Sequence, residues 1–196
     1  TRFKCDWSSD VCSSDLGMGY PVRDDVGPGP GQTGTAAGGG GAHGGNGGLA
    51  WPDDVLGGVA YDSIVEPTDF GGAGGAGEGP SHARCPGGGA IRVVVDGSFA
   101  VNGSIAANGT TAWYNNQGGG AGGSIWITAG ALTGGGTISV IGGTGEYIDG
   151  GGGGGGRIAL HVGANGFTGN ISAVGGGGHQ KGGAGTIYTR LAGETV

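Results

Sequence analysis

Three stretches of this 196-residue chain decide its fold: GGGAIRVVVDGSFAVNGSIAANG at 87–109, GGAGGSIWITAGALTGGGTISVIGG at 119–143 and GGGGGRIALHVGANGFTGNISAVGG at 152–176. A shorter copy, GGAGTIYTRL, follows at 182–191. The first apolar run of each copy starts at Ile91, Ile125, Ile158 and Ile187, in steps of 34, 33 and 29. A second run centres on Ile105, Ile138 and Ile171, in steps of 33 and 33, and closes each time with Gly-x-Ile-Ser/Ala-x-x-Gly. Copies that stay in phase over two separate runs are the mark of a repeat architecture.

Within each first run, apolar residues alternate: Ile91, Val93 and Val95, then Ile125 and Ile127, then Ile158, Leu160 and Val162. Period two reads as β-strand. The opposite face carries Arg92, Val94 and Asp96, then Ser124, Trp126 and Thr128, then Arg157, Ala159 and His161. Only the first face is apolar throughout, and the second is expected to point outward. Two short strands cannot bury an apolar face alone, so successive units must stack. The expected fold is all-β: a parallel β-solenoid, or β-helix, with repeats of about 33 residues and columns of β-branched isoleucine. No α-helix is expected, because no amphipathic stretch of helical length lacks Gly or Pro.

Glycine supplies 58 of the residues, yet only 7 are proline and the glycines come in runs rather than at every third place, which excludes collagen. Each run lies between the second strand of one unit and the first strand of the next. Mobile loops are one reading. The other is extended, polyproline-II-like arms packed side by side, their amides bonded from chain to chain. Ordering glycine costs roughly 0.5–1 kcal/mol per residue relative to alanine. Its recurrence at one place in every unit favours packed arms.

The rest of the chain divides by composition. Residues 1–16, TRFKCDWSSDVCSSDL, resemble the read-through of a short-read sequencing adapter and are set aside as a disordered artefact. Residues 17–37, with GPGPG at 27–31, read as a linker. Residues 38–86 form a Gly-rich region with an acidic insert at 49–70, and 87–196 the solenoid, as units 87–118, 119–151, 152–181 and a partial 182–191. Setting the first 16 residues aside removes Cys5 and Cys12, leaves Cys85 alone, and points to a gene fragment truncated at its start.

Several function classes are disfavoured. Net charge is -7 and no Lys/Arg cluster exists, so binding nucleic acid through phosphates is not expected. No apolar stretch approaches the roughly 18 residues of a membrane span. Lys181 precedes Gly182 rather than Ser or Thr, so no Walker loop is formed. There is no G-x-S-x-G, no H-E-x-x-H and, beyond residue 16, no Cys pair. Asp96 has Gly130 and Gly163 at the equivalent positions, so no pair of carboxylates is stacked for glycan hydrolysis. His43, His82, His161 and His179 are scattered singly and read as surface residues. Asp53, Asp54, Asp62, Glu66 and Asp69 are carboxylates that could take calcium, but a solvated acidic loop is the default. No catalytic, cofactor or metal residue is assigned, and the chain is expected not to be an enzyme.

Aromatic residues carry the one binding expectation. Arg92, Trp126, Ala159 and Tyr188 form an outward column, with Arg92 placed for a cation–π contact on Trp126. Trp113, Tyr114 and Tyr147 lie in the connections between units. Exposed aromatics on an extended repetitive surface bind sugars or partner proteins; the alternative is that they shield the glycine arms. Trp113, Tyr114, Trp126 and Tyr147 are the candidate ligand-binding residues. Sequons stand at Asn102, Asn108 and Asn170. No Thr ladder recurs at unit spacing, which disfavours an ice-binding face.

The succession GGGGxHGGxGG, YDS…EP…GGxGG, the repeated GxIxAxGG motif, GGGGRIALHV and GGAGTIYTR resembles a Gly-rich repeat module of large secreted or cell-surface proteins of bacteria and plants. The resemblance spans 38–191 and is looser before Gly87. It implies an extracellular or cell-surface location and a structural or adhesive role, with no catalytic residue to carry over. The leading expectation is therefore a non-enzymatic structural or adhesive segment whose partners are itself, other surface proteins or glycan. A glycan- or protein-binding module is second, and a polysaccharide-acting β-helix enzyme third.

Overall fold

The computed structural model describes residues 28–52, 55–77, 84–146 and 148–193. The adapter-like start, the first part of the expected linker, Asp53, Asp54, His82 and Tyr147 lie outside the described residues. Among the described residues seven strands and no helix make up the regular structure: β1 (Ala90–Ala100), β2 (Ser104–Ala106), β3 (Ser124–Gly134), β4 (Thr137–Ser139), β5 (Arg157–Phe167), β6 (Asn170–Ser172) and β7 (Thr186–Leu191). They form two parallel sheets, one in the order β1-β3-β5-β7 and one in the order β2-β4-β6. Each of the first three coils contributes one strand to each sheet, as a parallel β-solenoid requires.

The isoleucine columns fall in register. Ile91 pairs with Ile125, Ile125 with Ile158 and Ile158 with Ile187. Ile105 pairs with Ile138, and Ile138 with Ile171. Between the sheets lie Ile125, Ile127, Leu132, Ile138, Val140, Ile158 and Leu160, all fully buried. One irregularity in the repeat has a structural cause. Ile91 and Ile105 are 14 residues apart, whereas the later pairs are 13 apart. The extra residue is absorbed by a register shift between Val95 and Ser98 of β1, where three steps oppose two in β3.

Beyond each short strand the chain runs outward as an arm, turns at a tip and returns as a glycine arm into the next long strand. Outgoing arms span 107–112, 140–145 and 173–177; returning arms span 118–123, 150–156 and 180–185. Their amides are bonded in a period of three. Gly118 and Ala121 donate to Gly75 and Gly72, Gly119 and Gly122 to Gly151 and Gly154, and Gly120 and Gly123 to Thr110 and Ala107. The next returning arm repeats the pattern: Gly151 and Gly154 donate to Gly38 and Gly41, Gly152 and Gly155 to Gln180 and Gly183, and Gly153 and Gly156 to Gly143 and Val140. Donors that rotate among three neighbours with a three-residue repeat describe a threefold helix, the polyproline-II geometry, whose internal hydrogen bonds are nil. The glycine runs are packed arms.

Close approach, rather than backbone freedom, explains the glycines. Among the described glycines only Gly134, Gly178 and Gly193 have positive φ. A Cβ on Gly118, Gly119, Gly120, Gly122 or Gly123 would come closer than 3.0 Å to the carbonyl of a neighbouring arm. The first two returning arms are buried throughout because they form the middle layer, with outgoing arms on one side and residues 38–48 and 71–75 on the other. Part of the segment read as a linker joins this third layer: Gly31 donates to Ala73 and Gly39 to Gln32.

The acidic insert is not a free loop. Residues 61–70 lie across the outer face of the long-strand sheet, where Tyr61, Val65 and Asp69 offer carbonyls to side chains of β3 and β5. The expectation of one buried and one outward face therefore fails at the centre of the sheet. Residues Ser124–Ile127 of β3 and Arg157–Val162 of β5 are buried on both faces.

The arms make a graded prediction about glycine. Gly153→Ala places a methyl against the Gly120 backbone carbonyl, whereas Gly177 meets nothing nearer than the Thr144 side chain at 3.6 Å. Gly153→Ala should lower stability by about 1–3 kcal/mol, the usual cost of forced overpacking. Gly177→Ala should be neutral in the same urea titration. Equal effects at the two positions would refute steric packing as the reason for glycine.

Candidate functional site

The aromatic candidates separate. Trp113 and Tyr114 sit at the first tip, the turn between outgoing arm 107–112 and returning arm 118–123, and are 70% and 53% exposed. A buried amide builds that turn: Gln117 Oε1 accepts from the backbone N–H of Trp113 and of Tyr114, both at 3.0 Å. Asn116 takes the left-handed conformation at φ 64°, which asparagine tolerates better than most residues. With the backbone held from within, both rings project outward rather than folding over the glycine arms.

Other tips lie beside the first. Glu146 N–H donates to the Gln117 carbonyl at 2.8 Å, His179 N–H to Gly150 at 2.8 Å and Trp51 N–H to Asp149 at 2.8 Å. This edge adds exposed Ile148 and Trp51, the latter edge-on to the His179 ring at 5.8 Å. Glu146 turns its own carboxylate back onto the Ile148 and Asp149 amides. Tyr147 falls between Glu146 and Ile148 and lies outside the described residues. Trp51 and Ile148 were not among the sequence candidates. Their common signal is position, within a few residues of a chain reversal at the end of a glycine run.

Trp126 does not belong to this edge. Its register with Arg92, Ala159 and Tyr188 is as expected, and Arg92 is exposed, but Trp126 and Ala159 at the centre of the column are not open to solvent. Trp126 is buried, with the Arg92 guanidinium 4.1 Å from its ring centre and the His161 ring edge-on at 5.7 Å. Its indole N–H finds no hydrogen-bond acceptor, a cost of about 1–3 kcal/mol that the cation–π contact and burial must offset. His161, expected at the surface, is buried too. Arg190 donates to its Nδ1 at 3.1 Å, which leaves Nε2 as the ring donor to the Val65 carbonyl at 2.8 Å.

A second cluster was missed by sequence reasoning. His43, read as a surface residue, is fully buried with Nδ1 3.1 Å from both the Gly122 and Gly123 carbonyls and Nε2 3.1 Å from Asp62 Oδ2. Asp62, at φ 70°, also accepts from the amides of Ser63, Thr68 and Asp69. Ser124 Oγ donates to the Asp69 carbonyl at 2.7 Å, and Arg157 Nε to the Tyr61 carbonyl at 2.8 Å. Serine, histidine and aspartate together invite comparison with a hydrolase triad, but the order is wrong. Asp62 stands between the other two, 3.4 Å from Ser124 Oγ, so no imidazole faces the hydroxyl and both His43 and Ser124 are sealed from solvent. The cluster is a latch that ties the insert to the glycine bundle and the sheet.

Titration of the latch follows from its surroundings. Burial pushes the His43 pKa below its ordinary 6.5, against the upward pull of the Asp62 hydrogen bond and charge and of the Gly122 carbonyl. Burial raises the Asp62 carboxyl, but hydrogen bonds from Ser63, His43 and Asp69 outweigh it and hold the group below its ordinary 3.8. Cys85 is buried and its thiol pushed up to about 11, which removes it as a nucleophile at neutral pH. Among the described residues no three His, Cys, Asp or Glu side chains converge as a metal site, and no helix is long and apolar enough to cross a membrane.

Asp62→Asn retains the left-handed backbone preference while removing the charge. It should cost about 1.5–3 kcal/mol at neutral pH, where His43 is neutral and the loss is that of hydrogen bonds to a charged carboxylate. A carboxyl with a lowered folded pKa contributes stability that is present above 3.8 and lost as pH falls through the folded value. Chemical denaturation of Asp62→Asn over an acid series should therefore show a shallower loss than the parent below that point. Parallel acid limbs would exclude Asp62 as the titrating group.

No family model matches the chain, and comparison with curated proteins and with solved structures likewise finds no match. Function must be argued from the tips, the latch and the sheets themselves.

Proposed function

We propose that this chain is a non-enzymatic structural and adhesive segment of a secreted or surface-displayed protein. In this reading the stacked coils are a stiff spacer and the tip edge is the contact surface. The observation that carries it is the exposure of Trp113 and Tyr114 on a turn fixed from beneath by buried Gln117. Rigid aromatics offer contact area at small entropic cost, because the backbone beneath them is already ordered. Trp51 and Ile148 extend the apolar edge across neighbouring tips. An apolar edge on an otherwise glycine-lined body supports a partner-binding role more than a core-packing one.

The ligand class favoured is a glycan or a surface protein that lies along the edge. Flat rings stack on the apolar faces of sugars, and an edge repeated over successive coils suits an extended partner. Cys85 accords with an extracellular setting only weakly, since a single buried thiol forms no framework.

Purified chain, immobilised and washed with polysaccharides and with whole cells, should retain one of them. A Trp113→Ala, Tyr114→Ala double variant should melt within roughly 0.5 kcal/mol of the parent, as surface substitutions do. It should retain ligand at least tenfold less well, the loss of about 1.4 kcal/mol. Retention that survives the double substitution would remove the tip edge from the reading.

A further inference from the structure

The chain contains four Asn-Gly pairs: Asn46-Gly47, Asn102-Gly103, Asn108-Gly109 and Asn165-Gly166. Such a pair is chemically labile, because glycine has no Cβ to keep its backbone nitrogen from reaching the asparagine carboxamide. The fold treats the four differently. Gly47 N–H donates to the Gly58 carbonyl at 3.0 Å, and Asn46 Oδ1 accepts from the Ala60 amide at 2.8 Å. Gly109 N–H donates to the Ile141 carbonyl and Asn108 Oδ1 accepts from the Ile141 amide, both at 2.8 Å. Asn165 Oδ1 accepts from the Phe167 amide at 3.1 Å, and Asn165 and Gly166 are both paired with β3.

Asn102 stands apart. It is exposed at the corner where β1 gives way to β2. On either side the chain is tied to the second coil: the Val101 carbonyl accepts from Gly136 N–H and the Gly103 carbonyl from Thr137 N–H, both at 2.9 Å. Between those anchors no described residue bonds to the Asn102 carboxamide, nor to the N–H of Asn102 or Gly103. One and two repeats on, the same corner carries Gly135 and Thr168, so the carboxamide is peculiar to the first coil.

We infer that Asn102-Gly103 is a self-modification site of the native chain, at which the side-chain amide is lost as ammonia. The Gly103 nitrogen attacks Cγ of Asn102. The new N–Cγ bond forms as Cγ–Nδ2 breaks, the nitrogen's proton leaves with the ammonia, and a cyclic succinimide remains. Water then opens either ring carbonyl, leaving an aspartyl or an isoaspartyl residue at position 102. Both products place a negative charge on the corner at neutral pH. The isoaspartyl product also routes the main chain through Cβ, which puts an extra backbone atom between the anchored Val101 and Gly103 carbonyls, next to the buried Val101 and Ile105 side chains. At the other three pairs the same reaction must wait for local opening of the bonds that hold them. The site lies on a coil corner and not on the tips, so its failure leaves the tip reading untouched.

Purified native chain held at mildly alkaline pH, sampled over weeks and digested in acid, gives the conversion at each site by tandem mass spectrometry. Asn102 should convert at least about tenfold faster than Asn46, Asn108 and Asn165, the factor that ~1.4 kcal/mol of local opening supplies. The rate should rise with pH, because the attacking nitrogen must shed its proton. In guanidinium chloride the four sites should converge, since the bonds that separate them are gone. Asn102→Thr, which borrows the residue at the third corner, should abolish the early acidic species on isoelectric focusing; Asn102→Gln replaces it if its melting transition is lost. Native conversion as fast at any other pair as at Asn102 would overturn the inference. So would a lead for Asn102 that persists undiminished in the unfolded chain, or acidic species that survive the substitution.

Discussion

Everything in this molecule depends on amide bonds between glycine arms that run three residues to the turn. A polyproline-II arm satisfies none of its own backbone groups. Each must find a partner on another arm or leave buried N–H and C=O groups unmet, at about 1–3 kcal/mol apiece. A made bond contributes a net ~1 kcal/mol, against roughly 0.5–1 kcal/mol for ordering a glycine instead of an alanine. The two nearly cancel residue by residue. The bundle therefore holds only as a whole, when the middle layer of 118–123 and 150–156 is enclosed on all sides. That enclosure dictates the sequence, since a side chain at almost any of these positions would strike a neighbouring carbonyl.

The solenoid thereby becomes a wedge. Where the strands run, isoleucine, leucine and valine separate the two sheets by the width of a hydrophobic core. Where the arms run, outgoing and returning segments of one coil touch directly, with Gly120 bonded to Thr110 and Gly123 to Ala107. The same chain layers pass from one regime to the other without a break. The insert closes the outer face of the wide end, and the His43–Asp62 latch anchors it to carbonyls at Gly122 and Gly123, where arm becomes strand. A largely buried polar cluster serves register and order here, a role open to such a cluster even when its net energy is small.

Much of this was legible in the sequence. The Ile91, Ile125, Ile158, Ile187 column was predicted residue for residue, because a stacked coil must place like side chains above one another. The glycine arms were legible as positions but not as contacts, since three-residue periodicity is invisible where every residue is glycine. What escaped was the insert. It has no repeat partner, and its bonds reach far along the chain, as from Arg157 to Tyr61, 96 residues apart. Trp126 and His161 were thus placed on the correct face but wrongly exposed to solvent. His43 was misjudged for a similar reason: flanked by small residues in sequence, it gives no sign that its ring fills a space between three layers. Trp113 and Tyr114 could be located only to a connection; their exposure depends on a single side chain, Gln117, that no pattern singles out.

Amide hydrogen exchange of the glycines in 118–123 and 150–156 tests the central claim most directly. If cross-arm bonds hold the molecule together, these amides should exchange as slowly as those of Ile125, Ile127 and Ile158, through global unfolding alone. Rapid exchange in the arms, with the strands still protected, would show that the strands fold without them and would contradict the account.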